Sequence, residues 1–238
     1  MNPGHRCGVS ACMRTRLLLA VTALALSASP LAAQLSVVDE GSFTVTLGGR
    51  TGREDFRIVR APVAGAMTLV ASGTAVVGAA RSVVALRTDT LGVPITYQLE
   101  GREGGEVRER ITAQVSRDRL ATRSQTPRGE SAREYFLHDG MVIFDEGEAH
   151  QYYFLTLLGQ ETVTAVLPRR NVIAHFRVIS RGDEPIEIAG TTVVARHYAI
   201  GDAAGERQLW TDASGRVLRV EAPMLGLVAV RDALPAAR

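Results

Sequence analysis

The sequence predicts a mainly β protein: a single curved antiparallel sheet, half-barrel or open barrel, carrying one short helix, with a β-sandwich as the alternative. Three observations carry this reading. Apolar and polar residues alternate with period two in many separate runs between residues 42 and 230, the pattern of antiparallel strands with one buried and one wet face. Glycine-rich or Asp-Gly turns punctuate those runs. Only residues 149–158 read as a helix. So many strands curl into a barrel-like form or split into two packed layers. No linker, repeat or shift in composition divides the chain.

Residues 1–33 read as a signal peptide and 34–238 as one β-rich domain. Arg14 and Arg16 precede an apolar run at 17–26, followed by small residues, Pro30 and Leu31-Ala32-Ala33 before Gln34; this is the layout of a cleaved secretory leader. The run is shorter than the roughly 20 residues of a membrane helix. The expected protein is therefore bacterial, periplasmic or secreted, and soluble after cleavage, with no transmembrane span.

Composition narrows the chemistry. Hydrophobic residues make up 46% and charged residues 22% of the chain, enough for a packed core without disulfides. Three of the 27 basic residues and none of the 25 acidic ones fall in the leader, leaving a net charge of −1. That speaks against nucleic acid or an anionic membrane surface as partner. Cys7 and Cys12 also lie in the leader, so the remainder has no disulfide, cysteine-bound zinc or thiol nucleophile. Every basic residue is arginine, which removes Schiff-base chemistry on lysine.

The elements follow in order. Residues 42–47 place Phe43, Val45 and Leu47 on one face; Gly48, Gly49 and Gly52 mark a turn, and 55–59 return with Phe56 and Ile58 together. Runs at 67–77 and 82–86 are rich in β-branched residues, and 94–99 align Ile95, Tyr97 and Leu99. After the turn at 103–106, Val107, Ile111, Ala113 and Val115 share a face opposite Arg108, Arg110, Thr112 and Gln114. A polar strand at 117–126 ends at Pro127. Runs at 133–137 and 141–144 flank His138-Asp139-Gly140, which predicts a hairpin. The helix at 149–158 stops at Gly159. Further strands are expected at 172–179, 191–200, 208–211, 217–221 and 225–230, with a turn at 212–215.

The closing segments, Arg207-Gln208-Leu209-Trp210-Thr211-Asp212 and Gly215-Arg216-Val217-Leu218-Arg219-Val220-Glu221, follow an exported Phe-containing hairpin and a long meander. In this the chain resembles the uncharacterised periplasmic β-sheet proteins of the DUF3108 type, and its plan is similar to the lipoprotein-carrier (LolA-like) half-barrels. The resemblance implies an apolar concave face that shelters lipid. It implies no catalytic residue.

Signatures of catalysis are sparse. Four histidines lie outside the leader (His138, His150, His175 and His197), and no two are spaced to share a metal on one element. Residues 145–150, Asp-Glu-Gly-Glu-Ala-His, combine three carboxylates with an imidazole. Such a set suits a divalent cation, but the reading adopted is a solvated loop whose acids favour the following helix N-terminus. No metal ligand, catalytic residue or cofactor is assigned. Gly-x-Ser-x-Gly, phosphate-loop and His-Glu-x-x-His patterns do not occur. Arg181-Gly182-Asp183 is read as a turn.

Aromatic clustering is the most informative local feature. Six of the twelve aromatics, Tyr135, Phe136, Phe144, Tyr152, Tyr153 and Phe154, fall between 135 and 154. They suit a core plug or one wall of an apolar pocket. The leading functional expectation is a non-catalytic binding protein. A lipid or other apolar small molecule would sit against Ile95, Tyr97, Leu99, Val107, Ile111 and Val115, under a lid of Tyr152, Tyr153, Phe154, Leu157 and Leu158. One alternative is an envelope structural or assembly protein with a protein partner; the other is a hydrolase or metal-dependent enzyme centred on 145–150.

Overall fold

The computed structural model describes residues 35–236. The segment read as a signal peptide, 1–33, lies outside the described residues, as does the suggested first residue of the domain, Gln34. Two antiparallel meanders build one sheet. The first runs through β1 (Ser36–Leu47), β2 (Arg50–Val63), β3 (Ala66–Val77), β4 (Ala80–Thr88), β5 (Pro94–Glu103), β6 (Glu106–Ser116), β7 (Arg119–Thr126) and β8 (Gly129–Phe136). After β9 (Met141–Ile143), a 3-10 turn (Ala149–Tyr152) and α1 (Tyr153–Thr156), the second runs through β10 (Thr162–Leu167), β11 (Val172–Ile188), β12 (Thr191–Asp202), β13 (Gly205–Thr211), β14 (Val217–Ala222) and β15 (Leu227–Arg231). β15 returns to pair with β1, so the 15 strands form one curved sheet with β8 and β9 at its edges.

The alternation seen in the sequence decides which face is inside. Phe43 and Val45 of β1, Phe56 and Ile58 of β2, Val84 and Leu86 of β4, Tyr97 and Leu99 of β5, and Ile111 and Ala113 of β6 all enter one core. The β1–β2 turn places Gly48 and Gly49 at φ +55° and +78°, the two positive-φ positions of a tight hairpin turn that glycine adopts without strain. Where β1 meets β15, Arg231 makes a bidentate pair with Asp39 at 2.8 and 2.9 Å. The buried guanidinium lies against the Phe56 ring at 5.2 Å, so the first and last strands are joined by side chains as well as backbone.

The concavity is filled by the chain itself. Residues 141–155 run inside the curve with Met141, Ile143, Phe144, Tyr152, Phe154 and Leu155 buried. Phe144 meets Tyr152 and Phe176 edge-on, with ring centroids 4.8 and 5.6 Å away. Burying each such side chain is worth roughly 1.5–3 kcal/mol. The helical expectation at 149–158 holds over 149–156, as one 3-10 turn and one α turn, and the chain turns away at Gly159, φ +61°.

Two local expectations are corrected. Residues 133–137 and 141–144 do not form a hairpin across His138-Asp139-Gly140. β8 pairs with β7, while β9 pairs in parallel with β10. All three β9 residues are buried, so the strand seeks a position with two covered faces rather than an edge partner. Arg181-Gly182-Asp183 is not a turn but a bulge within β11, where the register shifts between Ser180 and Gly182. Beyond this bulge β11 has only β12 as a ladder neighbour, and Pro185 is accommodated there because its missing N–H interrupts no second ladder.

The gap between the edges is bridged by side chains. Asn171, in the β10–β11 turn at φ +56°, accepts hydrogen bonds from Tyr135 Oη at 2.8 Å and Thr122 Oγ1 at 3.3 Å. Arg133 donates to its backbone carbonyl at 2.7 Å. A second, smaller core of Ile188, Ala195, Trp210 and Leu218 lies on the opposite sheet face. Trp210 and Leu218 alternate there with the inward-facing Leu209 and Val217.

Candidate functional site

The site lies where the interior segment meets one end of the sheet. Glu54 is on β2 with the same parity as Phe56 and Ile58, so alternation carries its carboxylate into the core. There it is fully buried and accepts the Ala149 N–H at 2.7 Å, the His150 N–H at 2.9 Å and the His150 Nδ1 at 2.6 Å. These are the first free amides of the 3-10 turn, and a carboxylate from a neighbouring strand satisfies them. His150 packs against Phe56, with ring centroids 5.9 Å apart. Its ring occupies the space a side chain at Gly73 would need, since a Cβ there would lie 2.5 Å from His150 Cε1.

The acids of the 145–150 segment are not solvated. Asp145, Glu146, Glu148 and His150 are 2%, 8%, 1% and 0% exposed, which corrects the loop reading. Arginines and backbone donors hold them in place. Asp145 accepts Tyr97 Oη at 2.9 Å and Arg169 Nε at 2.9 and 3.0 Å. Arg169 also reaches Glu109 at 2.9 Å and Glu148 at 3.3 Å. Ser82 Oγ donates to Glu148 Oε1 at 2.5 Å. Glu146 takes Arg170 at 3.3 Å and a short ion pair from Arg207. The Arg207 guanidinium is fully buried and lies 4.8 Å from the centre of the Phe176 ring.

This environment shifts several protonation equilibria. Burial, reinforced by the negative charges of Glu54 and Asp145, pushes the Glu148 carboxyl up to about 7. Burial works against a charged His150, but its hydrogen bond to Glu54 and the surrounding carboxylates outweigh that and raise its pKa. Burial raises Glu109, which the Arg169 charge partly offsets. Burial also holds the Tyr97 hydroxyl well above the usual phenol range, and Asp145 adds to this.

Beside this network opens a cleft of about 440 Å³. Val45, Leu47, Ala75, Val77 and Leu225 give it an apolar wall, and Arg81, Arg102, Arg108 and Arg170 stand among the acids of the other. Glu148 and Asp145 form part of its floor.

The eleven residues expected to bind ligand lie in or near the main core. Tyr97, Leu99, Ile111, Tyr152, Tyr153 and Phe154 are buried in one core, with Val115 and Leu157 packed partly against it. Ile95, Val107 and Leu158 are half-buried. The structure thus places most of the proposed wall and lid in one core, and none of the eleven lines the 440 Å³ cleft. The sequence reading did not single out Glu54, Glu109, Arg169 or Arg207. Glu54, Glu109 and Arg207 do carry a signal: each is a charged residue at the apolar parity of its strand, in step with Phe56, Ile111 and Leu209.

No family model and no curated protein matches the sequence. Among solved structures, the chain is similar to a β-barrel-like protein of the domain of unknown function DUF1849 from Brucella abortus. The TM-score is 0.53 and the identity 10%, over 83% of this chain and 97% of that one. At this identity the likeness concerns the fold: a barrel-like sheet of unknown function. No match supports the DUF3108 resemblance. Among the described residues, no helix is long and apolar enough to cross a membrane.

Proposed function

We propose that the protein is an exported, non-catalytic binding protein whose ligand is a small amphipathic molecule held in the cleft at the end of the curved sheet. One observation carries this reading: the 440 Å³ cleft joins an apolar wall to an ionic one. An apolar body would lie along Val45, Leu47, Val77 and Leu225, and a polar or anionic head would meet Arg81. Arg81 makes no ion pair among the described residues, whereas Arg102, Arg108, Arg169 and Arg170 are already paired. Binding would draw on burial of apolar area, at roughly 25 cal/mol per Å² before ordering costs. The interior face expected to shelter lipid serves as scaffold. The leader read in residues 1–33 supports an extracytoplasmic setting.

The test uses 1-anilinonaphthalene-8-sulfonate, which joins an apolar body to an anionic head. Ala80 and Arg81 are exposed at the cleft, so Ala80→Trp and Arg81→Glu leave the core intact. We expect saturable fluorescence enhancement by the wild-type chain and at least tenfold weaker binding by both variants. Equal binding by all three proteins rejects the site. The second reading, an envelope assembly protein, draws support from β8, whose outer edge has no strand partner among the described residues. Cross-linking from Phe136 that recovers one reproducible envelope protein would favour it.

A further inference from the structure

We infer that Glu54, Glu148 and His150 form a binding site for a first-row divalent metal ion, with zinc as the natural probe. The three residues come from β2 and the interior segment, and one donor atom from each lies within 4.8 Å of the others. All three are buried. Ligands about 2.0–2.2 Å from a tetrahedral ion stand roughly 3.4 Å apart, so an ion on His150 Nδ1 would open the 2.6 Å contact with Glu54 and draw the wider-spaced donors in by on the order of 1 Å.

One buried atom points to a ligand. Glu148 Oε2 has no hydrogen-bond partner among the described residues. A buried polar atom left so is costly, and helix capping does not explain it, because Glu54 alone accepts the Ala149 and His150 amides. Glu54 retains acceptor capacity as well: Oε2 takes a single amide, and its sole ion-pair partner among the described residues is His150. Charge agrees. Glu148, Asp145 and Glu109 share one guanidinium, that of Arg169, while Glu54 pairs with the imidazole. A divalent ion balances that excess.

The donor set selects the ion. Imidazole with two carboxylates suits zinc or a neighbouring first-row ion rather than calcium or magnesium, which prefer oxygen alone. Gly73 completes the cradle, since a Cβ there would lie 3.3 Å from His150 Nε2 and 2.9 Å from Nδ1. Glu148 also lines the cleft, so a remaining coordination position can be reached from that side. The inference goes beyond the cleft reading and stands without it.

The chain from Gln34 onward is stripped with EDTA and titrated with ZnCl2 by calorimetry at pH 7, with bound metal counted by elemental mass spectrometry. We expect one tight equivalent, weakened at least 100-fold in Glu148→Gln and in His150→Asn. A variant carrying His138→Asn, His175→Asn and His197→Asn, which removes the imidazoles outside the site, should keep it. Absence of a tight equivalent, or its survival in both site variants, overturns the site. Cobalt(II) loading of the wild-type chain provides a measurement independent of variant folding. Tetrahedral visible bands support the site, and the spectrum of the hydrated ion alone refutes it.

Discussion

Replacing Glu54 with alanine in metal-free protein removes the acceptor for two backbone amides and one ring nitrogen. The wild-type distances are 2.7, 2.9 and 2.6 Å, and Glu54 and His150 are both fully buried. Each unpaired donor costs about 1–3 kcal/mol. His150 can shed its proton and spare part of that cost, so we expect a net loss of about 4 kcal/mol, within the range for breaking a buried pair. For a domain of this size that lowers Tm by about 8–16 °C. Glu54→Gln keeps one acceptor oxygen and should lose roughly half as much. The assay is urea unfolding in EDTA followed by tryptophan fluorescence, paired with calorimetric Tm. A loss below about 1 kcal/mol for Glu54→Ala would refute the claim that this carboxylate pins the interior segment to β2.

Further outcomes follow from the same geometry. Gly73→Ala places a Cβ 2.5 Å from His150 Cε1, which should cost about 1–3 kcal/mol by overpacking, measured by urea unfolding. Asn171→Ala loses the bonds to Tyr135 and Thr122 and keeps a positive φ; it should cost about 2 kcal/mol and speed hydrogen exchange in β8, with Asn171→Gly recovering the backbone part. Glu148 is raised from 4.5 to about 7, so the folded state holds more protons than the unfolded one in that window and stability falls as pH rises through it. His150 is also raised, and its contribution, full below 6.5, is lost as pH rises through its folded value. Metal-free protein should therefore be more stable at pH 5 than at pH 8, and Glu148→Gln should flatten the lower part of the profile; a flat wild-type profile would contradict the burial of these groups.

Most of the fold was legible because alternation is local. Phe43 and Val45, or Tyr97 and Leu99, report their shared face whatever they pack against. β9 was not legible. Met141, Val142 and Ile143 are all buried, so the run shows no alternation, and its parallel pairing with β10 depends on a connection through the helix. The Asp-Gly signal at 139–140 was real as a turn but not as a hairpin. The site was half legible. Residues 145–150 stood out as acids beside an imidazole, yet their burial depends on Glu54 and Arg207 from distant strands and on Arg169 from the β10–β11 turn. No local pattern pairs those residues, although a charge at a core parity marks Glu54, Glu109 and Arg207 individually.

The central claim is that the ligand lies in the end cleft and not in the interior of the sheet. Native mass spectrometry of the chain from Gln34 onward, exported and purified without detergent, tests it most directly when run beside Ala80→Trp. The account predicts a small-molecule adduct on the wild-type chain that is lost on denaturation and absent from the variant. A clean wild-type mass, or the same adduct on both proteins, would contradict it.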